Sequence, residues 1–181
     1  EGDGKTWGVA SWCNTRLDAN INFPPPLFIS SLFLQSQDPE ELLLEVSRKI
    51  QPLKAERWQQ RLSRWLDAAQ STAAPLCILV LDGVNERHSP GFWRTLLDKL
   101  VGDNRFLGVA VVLTCRTEYW NRTFRPLSHL AFMAYELQPY DDEELREALA
   151  AHRLSISDIG DELLPLVRKP RYFDLAVRFR S

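Results

Sequence analysis

The chain has 181 residues, 45% of them hydrophobic and 25% charged, with a formal net charge of −2. That length suits one domain, or one domain with a small appendage, and the apolar content is enough for a full core. The near-neutral balance gives no electrostatic footing for nucleic acid or a membrane surface, and the longest apolar runs, such as Val109–Leu113 with its neighbours, fall far short of the ~20 residues a membrane span needs.

Glu1-Gly2-Asp3-Gly4-Lys5-Thr6 reads as the second half of a phosphate loop, G-x-x-x-x-G-K-[ST]. The first glycine of that pattern would fall two places before Glu1, and the strand that should deliver the loop is missing too, so the start is expected to be truncated. Glycines at positions 2 and 4 let backbone amides approach phosphates. Lys5 would reach the β- and γ-phosphates and the Thr6 hydroxyl would ligate Mg²⁺, at the positive end of the helix that follows. The rival reading is a polar terminus with no ligand.

Val9, Ala10, Trp12 and Cys13 suit a helix from Trp7 to about Leu17, and Pro24-Pro25-Pro26 closes that connection. Leu27 to Leu34 reads as a strand. Asp38-Pro39-Glu40-Glu41 opens a helix, with proline in the first turn and acids at the positive end, and Pro52 ends it. Trp58, Leu62, Trp65, Leu66 and Ala69 form the stripe of a further helix, with Arg57, Arg61 and Arg64 on its solvated face. The six tryptophans of the chain sit mostly at helical spacing and read as core rather than as base-stacking platforms.

Leu76 to Leu81 is a run of six apolar residues without alternation, the pattern of a strand buried on both faces of a parallel sheet. It stops at Asp82, and Gly83 lets the backbone turn. Asp82, Asn85 and Glu86 then cluster at the carboxyl end of the strand, where open α/β sheets place ligands. An acid at the tip of a buried strand is costly unless something cationic meets it, and hydrated Mg²⁺ would do so, taking carboxylate, water and phosphate oxygens. The rival reading is a surface acid at an ordinary strand–loop junction. A phosphate loop and an acidic strand tip about 75 residues apart strengthen each other.

Phe92 to Val101 reads as a helix after the turn His88-Ser89-Pro90-Gly91. Phe106 to Thr114 is the next buried strand, which puts Arg116 at a strand tip on the same sheet edge as Asp82. There it would contact the γ-phosphate or pair structurally with Glu86 or Glu118. Met133 to Leu137 reads as a short last strand. Asp141-Asp142-Glu143-Glu144 opens a helix through His152, Ile156 to Val167 is helical, and Tyr172 to Phe179 follows the break at Arg168–Arg171. His88, His129 and His152 have no ligand partners at useful spacing and read as surface or packing residues. Cys13, Cys77 and Cys115 are odd in number and unclustered, which favours reduced thiols in a cytoplasmic protein.

With these pieces placed, the chain resembles the nucleotide-binding domain of STAND-type P-loop NTPases, the signalling ATPases that include the NACHT and NB-ARC groups and resemble AAA+ proteins. Glu1 to Thr6 matches the end of Walker A. Ile78 to Glu86 matches the family's Walker B form, and Val111 to Arg116 the strand that ends in a sensor arginine. Leu166 to Ala176, with Pro170, is similar to the segment after the lid helices. The spelling Asp-Gly-Val-Asn-Glu with Thr-Cys-Arg-Thr-Glu-Tyr-Trp is most similar to bacterial members, many of them antiviral sensors that oligomerise on recognising a viral protein.

The resemblance implies a three-layer α/β fold. Its parallel sheet has strand order 5-1-4-3-2, the first strand being absent, in a core over residues 1–139, and a helical lid occupies 140–181. It implies ATP or ADP with Mg²⁺, held by Gly2, Asp3, Gly4, Lys5 and Thr6, with Mg²⁺ on Thr6 and Asp82. Glu86 would orient the attacking water, Arg116 would sense the γ-phosphate and Pro170 would pack on the adenine. Asn85 departs from the family's usual acid, which leaves Glu86 as the polarising base. The expected activity is a slow ATPase switch, hinged near Gln138–Asp142 and homo-oligomeric when active, whose protein trigger binds domains outside this chain. Two rivals are a scaffold that holds nucleotide without turnover and a nucleic-acid-handling AAA+ relative, the latter disfavoured by the charge balance.

Overall fold

A computed structural model of the chain describes residues 5–50, 54–69, 75–127, 129–130 and 133–178. It is a mixed α/β structure built on a three-stranded parallel sheet of order β1-β2-β3, with β1 Pro26–Ser30, β2 Cys77–Asp82 and β3 Val109–Leu113. Helices α2 (Pro39–Ile50) and α3 (Ala55–Ala69) lie between β1 and β2 in the chain, and α4 (Pro90–Gly102) lies between β2 and β3. Parallel neighbours require such crossovers, because a tight turn cannot return the chain to the same end of the sheet. Helix α1 (Lys5–Ala19) precedes β1.

The contacts divide the chain into two compact units, Ala10–Met133 and a second in which the start of the chain, through Val9, joins Ala134–Ser181. In the first, the unbroken apolar run of β2 is the centre: Leu79, Val80 and Leu81 are fully buried. Leu42, Leu43, Leu62, Leu66, Trp93, Leu96, Leu97 and Phe124 complete its core. Trp58 and Trp65 pack against this core beside Leu62 and Leu66, while Arg57, Arg61 and Arg64 are exposed, so the apolar stripe and solvated face of α3 fall where the 3.6-residue period puts them. Asp38 accepts the amides of Glu40 and Glu41 at 2.9 and 3.3 Å and caps α2; Ser89 caps α4, with Pro90 in its first turn.

The second unit holds α6 (Asp142–Ala151), the single turn α7 (Leu164–Val167) and α8 (Pro170–Arg178) around a small core of Leu145, Leu149, Val167 and Phe173. Asp141 caps α6 in a reciprocal capping box with Glu144. Between the sheet and α6 the chain forms a three-residue helix α5 (Thr117–Tyr119) and a wide turn over Trp120–Phe124.

Four sequence expectations are corrected. The strand expected over Leu27–Leu34 ends at Ser30, because the Ser30 hydroxyl accepts the Leu32 amide and starts a tight turn at Ser31–Phe33. The strand over Phe106–Thr114 begins only at Val109, since Asp103 caps a turn at Asn104–Phe106. Residues 133–140 are irregular rather than a strand: no described strand offers them a ladder, and Met133 and Tyr135 are exposed. Finally, Trp7 and Trp12 of α1 are exposed rather than core, although Trp12 packs edge-on against Phe23 at 5.5 Å. Among the described residues no helix is long and apolar enough to cross a membrane.

Candidate nucleotide site

The site forms where β2 and β3 end. Asp82 is the last residue of β2, and Thr114 follows the last residue of β3, whose Leu113 is in register with Leu81. The Thr114 side chain is buried and uses its hydroxyl in both directions: it donates to Asp82 Oδ1 at 2.5 Å and accepts the Gly83 amide at 2.9 Å. The Thr114 backbone adds two bonds, its amide to Leu81 O and its carbonyl from the Val84 amide, each 3.0 Å. Three residues beyond Asp82 and two beyond Thr114, Asn85 Oδ1 accepts the Arg116 amide at 3.0 Å. The segment Asp82–Asn85 is thus sewn to Thr114–Arg116, and Val84, fully buried, anchors it in the core.

Gly83 turns the chain with φ +67°. That conformation costs a residue with a Cβ about 1–2 kcal/mol. A Cβ placed there would also meet the Glu86 carboxyl carbon at 2.7 Å, so the Glu86 carboxylate lies directly over this glycine. The Glu86 amide closes the turn on Gly83 O at 2.9 Å. Glu86 itself is exposed, and among the described residues it forms no ion pair, with Arg116 or any other cation.

The residues named from sequence divide between the units. Asp82, Glu86 and Arg116 come together in the unit of the sheet, with Asp82 half-buried and Arg116 exposed at the start of α5. Lys5 and Thr6 form the first turn of α1, and Pro170 is the first residue of α8; all three belong to the other unit. Gly2, Asp3 and Gly4 lie outside the described residues.

The oxygen donor at this strand tip, the Asp82 carboxylate, is of the hard type that Mg²⁺ takes. Among the described residues no cluster of three or more His, Cys, Asp or Glu side chains could hold a metal by itself. A cation here would draw the rest of its shell from water and phosphate, as Mg²⁺ does.

Sequence reasoning passed over Thr114 and Ser31. Each is a hydroxyl at the end of an apolar run, and each is buried with a long-range bond to the Asp82–Gly83 corner. A buried hydroxyl must find a partner, so a Thr or Ser closing a buried strand is the signal that marks them. His88 is a packing residue with a bond of its own: its ring stacks on Phe92 at 3.8 Å between centroids, and Nε2 lies 3.0 Å from Leu34 O.

None of the three cysteines forms a disulfide. Burial pushes the Cys77 thiol up to about 12 and raises that of Cys13. Comparison with protein-family models, with curated proteins and with solved structures returned no match to this chain.

Proposed function

We propose that this chain is the ATP-binding and hydrolysing switch domain of a STAND-type signalling ATPase, most similar to the bacterial antiviral sensors, acting in the cytoplasm. The observation that carries the reading is the seam between Asp82–Gly83 and Thr114, continued by Asn85 and Arg116. It joins an acidic strand tip to an arginine-bearing strand tip on the neighbouring parallel strand, an arrangement suited to reading a phosphate and its cation together. The order β1-β2-β3 is compatible with the 2-3-4 portion of the implied 5-1-4-3-2 order, which would set the phosphate-loop strand beside β3. Lys5 and Thr6 opening a 15-residue helix is the placement a phosphate loop requires.

In this reading the Lys5 ammonium and the Gly2–Gly4 amides hold the phosphates, and the Thr6 hydroxyl and Asp82 carboxylate hold Mg²⁺ directly or through water. Bound there, Mg²⁺ would neutralise charge on the β- and γ-phosphates. Thr114 fixes the Asp82 carboxylate by donating to one of its oxygens, so the acid meets the cation without reorganising. Glu86 accepts a proton from the attacking water and orients it. Arg116 presents its guanidinium to the γ-phosphate, and Pro170 packs on the adenine. Activation brings copies of the protein together once domains outside this chain meet their trigger.

The test is equilibrium binding of a fluorescent ATP analogue with Mg²⁺, together with phosphate release. Lys5→Ala is expected to abolish binding, whereas Glu86→Gln keeps it and lowers turnover by ~10²-fold or more. Binding without turnover in the parent protein would replace the switch by a nucleotide-holding scaffold. Turnover unchanged in Glu86→Gln would move the base elsewhere.

A further inference from the structure

The loop that carries Glu86 is fastened on a second side, to the turn that follows β1. Ser31 Oγ donates to Gly83 O at 2.5 Å, an Arg87 guanidinium N–H donates to Leu32 O, and His88 Nε2 lies 3.0 Å from Leu34 O. A carbonyl oxygen only accepts, so His88 carries a proton on Nε2 in this contact. The ring cannot swing away easily. It lies flat on Phe92, with planes 9° apart, and meets Trp93 edge-on at 5.6 Å. The His88 carbonyl in turn accepts the Tyr119 hydroxyl at 3.3 Å, which ties the same residue to α5.

Glu86 therefore sits between two sets of anchors. Gly83 is held before it, by Thr114 through its amide and by Ser31 through its carbonyl. Arg87 and His88 are held immediately after it, on two carbonyls of the post-β1 turn. No described side chain holds the Glu86 carboxylate by a hydrogen bond or ion pair, so the backbone anchors, together with its contact over Gly83, are what place its side chain. A carboxylate that must meet a water within hydrogen-bond reach depends on such anchors.

We propose that Arg87 and His88 are positioning residues that set the Glu86 carboxylate by clamping its loop to the carbonyls of Leu32 and Leu34. This deepens the reading of Glu86 as the residue that orients water, and it rests on that reading for its effect on rate. The clamp acts through geometry, so it governs kcat and leaves the KM for ATP, which Lys5 and the phosphate loop determine, unchanged.

The test compares His88→Gln, His88→Asn and His88→Ala in the full chain. A glutamine amide nitrogen reaches the Nε2 position and keeps the donor to Leu34 O, whereas an asparagine nitrogen reaches only the Nδ1 position. Gln and Asn both lose the aromatic stack, so thermal unfolding should fall alike in the two. Expected are a fall in kcat of roughly 10-fold to 100-fold for Asn and Ala, near-parental kcat for Gln, and unchanged KM in all three. Hydrogen exchange at the amides of residues 84–88 should rise for Asn and Ala and stay low for Gln. Equal kcat and equal exchange for Gln and Asn would overturn the clamp. A parent protein that binds no ATP or turns none over fails the functional reading instead, and the exchange series then decides the clamp on its own.

Discussion

Thr114 and Asp82 stand at the tips of adjacent parallel strands, and the Thr114 hydroxyl donates to Asp82 Oδ1 while accepting the Gly83 amide. One buried hydroxyl thus serves an acid and a strained turn at once. Thr114→Val keeps the shape and removes the hydroxyl's bonds to the Asp82 carboxylate and from the Gly83 amide. A loss of about 1–3 kcal/mol is expected, read as a shift in urea midpoint at constant slope. Thr114→Ser should recover most of it. A Thr114→Val protein as stable as the parent would show that the seam holds nothing.

Gly83 combines a positive φ with the Glu86 carboxylate above it. The two contributions separate in a double-mutant cycle. Gly83→Ala should cost about 1–2 kcal/mol from backbone conformation alone. The near contact is with the far end of a flexible side chain, so it should add little stability cost but displace the carboxylate. Unfolding of Gly83→Ala in a Glu86→Ala background should therefore show nearly the same loss, while turnover in the single Gly83→Ala variant collapses. A much smaller loss in the double background would assign the cost to the contact instead.

Cys77 supplies a pH prediction. Its thiol is neutral in the folded protein up to about 12, against an ordinary value of 9.0. The unfolded chain ionises first as pH rises past 9.0. The protection this thiol gives is complete below that value and is lost on the way to the folded one, with a slope of at most ~1.4 kcal/mol per pH unit. Cys77→Ala should be less stable at neutral pH but should lack this alkaline slope. Thiol labelling of native protein should reach the half-buried Cys115 first and Cys77 only with global unfolding.

Much of the core was legible because its signals are long. The six-residue apolar run of β2 and the tryptophan-leucine stripe of α3 each outweigh local accidents. What failed was shorter. Leu27–Leu34 and Phe106–Thr114 are mostly apolar, and strand composition alone does not reveal that Ser30 inside the first run or Asp103 ahead of the second will cap one end into a turn. Met133–Leu137 has strand composition, yet strand formation requires a neighbour to complete the ladder, and composition does not supply one. At the site, the acid, the glycine and the arginine were readable from their spacing. Thr114, Ser31 and His88 were not, because their importance lies in bonds between residues 31–34, 82–88 and 114–116, which only the parallel register brings together.

The last prediction concerns where a nucleotide-driven hinge would lie. The sequence places it near Gln138–Asp142, but the structure ties the second half of that stretch down. Arg168 donates to Tyr140 O at 3.0 Å and pairs with Asp142, while the Tyr140 amide returns a bond to Arg168 O at 2.8 Å. Tyr140 also packs edge-on against Phe173 of α8 at 5.7 Å. Residues 140–142 therefore move with Arg168 and the start of α8, two residues on, where Pro170 stands. Any hinge is confined to the irregular residues before Tyr140. The Arg168 guanidinium holds the Asp142 carboxyl below its ordinary value of 3.8. The ion pair is thus complete above that value and weakens as pH falls through the lower folded one. Hydrogen exchange should show residues 134–139 changing protection among nucleotide-free, ADP-bound and non-hydrolysable-analogue states, with the amides of α6 unchanged. Arg168→Met should spread the change into the first turn of α6, and Asp142→Asn should do so partly. Identical protection of residues 134–139 in all three states would rule the hinge out, and a change in α6 of the parent protein would move it past the clasp.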